Sequence, residues 1–177
     1  MVEVAWPSVL DTAVTTFRAL TGFGDPDTAG DFVPVFDTIG AWVEGEEWRT
    51  GGCVVVGDHG SADAATTPGD ASQALTCYGA GHRRTESGVI ACRVEFRSGD
   101  TSSAGIKAAR DAAFAAFADI AAAVRVSPAL GLVPATLRGL TVEVSALSPH
   151  AWFPETDETA PGVGFVLPFS LSYTAHL

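Results

Sequence analysis

The side chains in this sequence best suited to hold a metal are Cys53, His59, Cys77, His82 and Cys92, because thiolates and imidazoles are the ligands that zinc selects. Their spacing argues against a site. Neither Cys53 to His59 nor Cys77 to His82 matches a familiar ligand pair, Cys53 opens a valine run, and Cys92 falls on the apolar side of an alternating segment. In such places a cysteine serves as a small hydrophobe. Acid–base pairs could be drawn from His59 with Asp58 or Asp63, and from His82 with Glu86, but no nucleophile is placed beside either. A phosphate-cradling loop, a G-x-S-x-G elbow and an H-E-x-x-H helix are all missing. Arg83 and Arg84 lack interleaved aromatics, so they are a weak nucleic-acid signal and read as a salt-bridged surface. The expectation is a protein that is not an enzyme and carries no cofactor and no metal.

The elements that must position these residues are clearer than the chemistry. From Val89 to Arg97 the chain alternates, with Ile90, Cys92, Val94 and Phe96 on one face and Ala91, Arg93, Glu95 and Arg97 on the other. This predicts a half-buried strand whose second face meets water or a partner. The short oxygens of Ser98 to Ser103 then supply turn and cap chemistry for a helix over about Ala104 to Arg125, with an apolar stripe through Ile106, Ala109, Ala113, Phe117, Ile120 and Val124. Pro7 suits the first turn of a helix that carries Trp6, Leu10, Ala13, Val14, Phe17 and Leu20 on one face, and Gly22 stops it.

Further strands are predicted in the Cys53 to Val56 run, from Leu140 to Ala146, and from Val163 to His176. In the last of these Pro168 marks an edge or a bulge, since it has no N–H to give a ladder. The fold class that follows is α+β, a mainly antiparallel sheet with two helices packed on one face. The expected organisation is one domain over residues 1–177, with long loops at about 22–50, 58–74 and 148–162.

Composition narrows the function. A hydrophobic fraction of 47% against 18% charged is globular. The odd count of 3 cysteines argues against a disulfide framework. Apolar runs are too short to span a bilayer and the N-terminus lacks a signal-peptide pattern, so synthesis in the cytoplasm and no membrane partner are expected. A net charge of −11 disfavours sequence-independent binding to phosphates.

The order of the elements points further. An N-terminal helix, a short strand at Val54 to Gly57, a strand running into Ser98-Gly99-Asp100-Thr101 and an Ala/Arg helix are followed by Pro128-Ala129-Leu130-Gly131, the strand "LTVEVS", a loop, and the closing "GFVLPFSLSYTAHL". This run resembles the tail terminator (tail completion) proteins of long-tailed actinobacteriophages over most of the chain. The stretch from Asp37 to Thr50 and the loop from Asp58 to Ala74 depart from the compact pattern of that family.

The resemblance implies a structural virion protein located at the tail or neck. It would form a homo-oligomeric ring, usually hexameric, that caps the tail tube protein, ends elongation and docks the head–tail connector or stopper protein. DNA would pass through the bore without specific binding. The loops with few apolar anchors are then the expected contacts, which nominates Trp42, Trp48, Asp58, Asp63, Asp70, Trp152, Phe153, Glu155, Asp157 and Glu158. The alternatives are a head-closure or neck protein, the cap of a phage-derived injection device, or, from other classes, a small metal-binding module or enzyme.

Overall fold

The computed structural model describes residues 5–37, 51–57, 69–78, 81–131, 138–147, 149–152 and 162–176, with backbone only over 69–78, 81–84, 138 and 150–152. In chain order the elements are α1 (Trp6–Arg18), β1 (Phe23–Gly24), β2 (Val33–Asp37), β3 (Gly52–Val56), β4 (Gly69–Tyr78), β5 (Gly81–Ser98), α2 (Ser103–Val126), β6 (Arg138–Ala146), β7 (His150–Trp152) and β8 (Val163–His176). The strands form one sheet in the order β1-β2-β3-β5-β8-β6, with β4 also on β5 and β7 also on β8. β1, β2 and β3 are parallel to one another, and every other pairing is antiparallel.

Alternation decides which side of the sheet is the core. Ile90, Cys92 and Val94 of β5 stand opposite Leu171, Phe169 and Leu167 of β8, and Val54 and Val56 of β3 stand opposite Val94 and Cys92. All of these are buried in one cluster with Val9, Leu10, Ala13, Val14 and Phe17 of α1 and Ala109, Ala113, Ile120 and Val124 of α2. Both helices therefore lie on the same face of the sheet, and the architecture is α+β.

The alanines of α2 bring its axis close to the sheet. Gly105, Ala109, Ala113, Ala116, Ile120 and Val124 are its buried residues, while Ile106 and Phe117 of the expected stripe are half-buried. Phe117 still meets Phe169 edge-on at 5.5 Å between ring centroids, and the exposed Phe114 reaches Phe165 at 6.0 Å. Before the helix, the Ser102 hydroxyl accepts from the Ala104 and Gly105 N–H groups, and the Asp100 carboxylate accepts from the Ser102 N–H at 2.8 Å and from its hydroxyl. A side chain at Gly105 would strike the Asp100 carbonyl, 1.8 Å from the Cβ position, so the tight turn requires glycine there.

Pro168 lies in a central strand, which it tolerates for a local reason. Its carbonyl accepts from the Leu147 N–H at 2.9 Å, so its nitrogen also points toward the β6/β7 side. There, residues 147–149 separate the partner of Phe169 from the partner of Val166, three residues against two. The missing N–H faces the gap between the end of β6 at Ala146 and the start of β7 at His150. A register shift precedes Thr141, where Gly139 takes φ 62° and a Cβ would sit 2.6 Å from the His176 ring.

Four expectations are corrected. Within the expected 22–50 loop, Phe23–Gly24 and Val33–Asp37 are strands, paired parallel with each other and through β2 with β3. β5 begins at Gly81, well before the predicted start at Val89, because β4 pairs with it from Gly69↔Ile90 to Tyr78↔Gly81. Residues 69–74, expected as loop, are strand for the same reason: a sequence of Gly, Asp, Ala, Ser and Gln has little strand preference of its own and takes it from the ladder of its neighbour. Within the expected 148–162 loop, His150–Trp152 extends the β8 edge as β7.

Candidate functional site

Two buried glutamates on opposite faces of β5 are its most constrained polar features among the described residues. Glu86 is in phase with Ile90, Cys92 and Val94, so the pleat turns it into the core, where it is 0% exposed. Pro7 in the first turn of α1 has no N–H, and the helix lacks a side-chain cap from its own N-cap residue. Glu86 supplies the acceptor from across the sheet. Its Oε1 accepts from the Ala5 N–H at 3.0 Å and the Trp6 N–H at 2.9 Å, its Oε2 accepts from Ala5 at 3.1 Å, and the Tyr173 hydroxyl donates to Oε1 at 2.7 Å.

This arrangement offsets the cost of burying a carboxylate with charge-assisted hydrogen bonds and the positive end of the helix dipole. Burial, then the hydrogen bond and charge of Glu86, push the Tyr173 phenol well above its usual range. A carboxylate so enclosed is a structural anchor rather than an accessible base. The sequence offered Glu86 with His82 as an acid–base pair; the Glu86 carboxylate is bonded to the start of α1 and to Tyr173, and the side chain of His82 lies outside the described residues.

On the other face, Glu95 is 5% exposed although its alternation suggested a solvent or partner side. Arg97 Nε donates to its Oε1 at 3.0 Å, and Arg93 Nε stands 3.9 Å from its Oε2. Cys53, its register partner on β3, is buried beside it, whereas Cys92 lies on the core face. The two cysteines are thus on opposite sides of the sheet. Among the described residues no group of three or more His, Cys, Asp or Glu could hold a metal ion.

Farther along the same face the residues become small and hydroxylic. Ser87, Thr174 and Thr141 form one row across β5, β8 and β6, and Ala91, Ser170 and Ser145 form another, all half-buried or exposed. Val89, Ser172 and Glu143 lie between them, with Val89 at 41% exposure.

Of the contact residues nominated from the sequence, Trp42, Trp48, Asp58, Asp63, Phe153, Glu155, Asp157 and Glu158 lie outside the described residues, as does His59. Asp70 stands on β4 opposite Val89, and Trp152 on β7 opposite Gly164. Sequence reasoning missed the Glu86–Tyr173 pair: Tyr173 falls on the apolar face of the predicted closing strand, but Glu86 precedes the predicted start of β5 at Val89, so nothing in its own segment marked it as buried. Asp100 belongs to the segment read from the sequence as turn and helix cap. Its backbone and side-chain hydrogen bonds with Ser102 hold its carboxyl below the usual carboxylate range.

No protein-family model matches the chain, and no curated protein matches it. Among the described residues no helix is long and apolar enough to cross a membrane.

Proposed function

We propose that this chain is a tail terminator: a structural protein that closes into a ring on the end of a phage tail tube, stops its growth and presents a docking face to the head connector, with DNA passing through the bore. The observation that carries this reading is the element order. The segments on which the family resemblance rests follow one another in the chain as α1, β3, β5, α2, β6 and β8, and their strands join one sheet in the spatial order β3-β5-β8-β6, with Ser98–Thr101 leading into the cap of α2 and Pro128–Gly131 forming its stop, where Leu130 and Gly131 take φ 52° and 73°. The face opposite the helices supports it as well, since its rows of Ser and Thr are half-buried or exposed.

The test is the mass of the native assembly, followed by electron microscopy of the protein mixed with tail tubes. A closed ring seated on the tube end is expected. A protein that stays monomeric at high concentration and does not bind tube ends sinks the reading. Trp42→Ala and Trp48→Ala are expected to leave a folded protein that assembles poorly, because aromatic anchors concentrate interface energy.

A further inference from the structure

β5 outruns the strand beside it. Pairing with β8 ends at Thr85↔His176, while pairing with β4 continues through Arg84↔Leu75, Arg83↔Thr76, His82↔Cys77 and Gly81↔Tyr78. Among the described residues, Gly81 to Arg84 therefore have β4 as their only strand partner, and the two strands form a ribbon reaching about 14 Å past the end of β8. A two-stranded ribbon is marginally stable by itself in water. Its tip carries His82, Arg83 and Arg84 in succession, on a chain whose net charge is −11.

The opposite charge is displayed elsewhere. The loop from β1 to β2 exposes Asp27 and Asp31 at the far lateral edge of the sheet, with β2 and β3 standing between that edge and β5. Among the described side chains, Arg18, Arg97, Lys107 and Arg110 pair with Asp25, Glu95 and Asp111 of their own chain, and Arg125 donates to the Ala121 carbonyl.

We infer that the β4–β5 ribbon is the arm by which one copy grips the next, its cationic tip docking on the acidic β1–β2 loop of a second copy of this chain. This rests on the ring reading and deepens it. Because arm and loop are different surfaces, the contact is heterologous, and such contacts close into rings when the rotation between copies permits. Charge at such a contact fixes register and makes association depend on salt.

The experiment is a charge swap on the full chain, read by native mass and by the concentration at half-assembly, with circular dichroism as the check on folding. The double variant R83E/R84E is expected to raise the half-assembly concentration by roughly tenfold or more, as is D27R/D31R. The two double variants mixed together, or combined in one chain, should recover most of the loss. If the four substitutions impair folding, the milder R83Q/R84Q should give a smaller shift in the same direction, and added salt should weaken the wild-type assembly in parallel. An intact ring insensitive to R83E/R84E overturns the arm and leaves the ring reading standing. A ring that keeps its mass while R83E/R84E abolishes retention on immobilised DNA would assign the tip to nucleic acid instead, and also overturns it. A monomeric wild-type protein removes the ring reading and the arm with it.

Discussion

Glu86 and Glu95 are two buried acids on one strand, and their surroundings could hardly differ more. Their sequence separation is odd, so the pleat sends them to opposite faces. Glu86 accepts from two backbone N–H groups and a phenol at the start of a helix. Glu95 is held by guanidinium groups from its own strand. The first ties together elements far apart in the chain, while the second stiffens one strand. Burial alone thus says little about what a carboxylate contributes; the partners and their distance along the chain decide it.

Replacing Glu86 should separate the two most clearly. Glu86→Ala leaves the Ala5 and Trp6 N–H groups and the Tyr173 hydroxyl without this acceptor in a dry core, and about 3 kcal/mol or more of stability should be lost. Amide exchange should locate the damage in α1. If Glu86→Ala unfolds at the same denaturant midpoint as wild type, the anchor is not what holds the helix. Glu95→Gln keeps an acceptor and loses only the charge, so a cost of about 1–2 kcal/mol is expected, with added salt eroding the wild-type advantage over the variant. A loss equal to that of Glu86→Ala would erase the distinction drawn here.

Tyr173→Phe removes one donor from Glu86 and should cost about 1 kcal/mol. It also has a pH signature. A phenol whose folded value is raised gives full stability below the ordinary value of 10.0, and loses it progressively above that point, as the unfolded chain ionises first. Alkaline titration of stability should show this component in wild type and not in Tyr173→Phe.

The smallest effect is expected at Asp100, which is fully exposed. Its depressed value means that its contribution is present above the ordinary 3.8 and fades as pH falls below it. Exchange in the first turn of α2 should quicken over that acidic range in wild type, while Asp100→Asn should flatten the dependence. An unchanged pH profile in the variant would show that the Asp100–Ser102 contact does not govern the cap.

The sequence by itself determined the periodic elements and the side of the sheet that each presents. Period-two alternation in β5, β6 and β8, helical spacing in α1 and α2, and the Ser-rich cap are properties of adjacent residues, because a strand or helix reports its own buried face along its own length. The core residues Phe17, Ile120, Leu167 and Phe169 were legible for that reason. Only the tertiary structure decided β7 and the first half of β4, residues 69–74, which the sequence reads as loop and which pair with β8 and β5. It also decided the fate of the two glutamates. Glu86 meets α1 across some eighty residues of chain, and Glu95 is nearly closed off within its own chain on the face that alternation gives to water or a partner. No local pattern encodes such contacts, since their partners are brought together by strand order and register, which are set by the packing of the whole sheet.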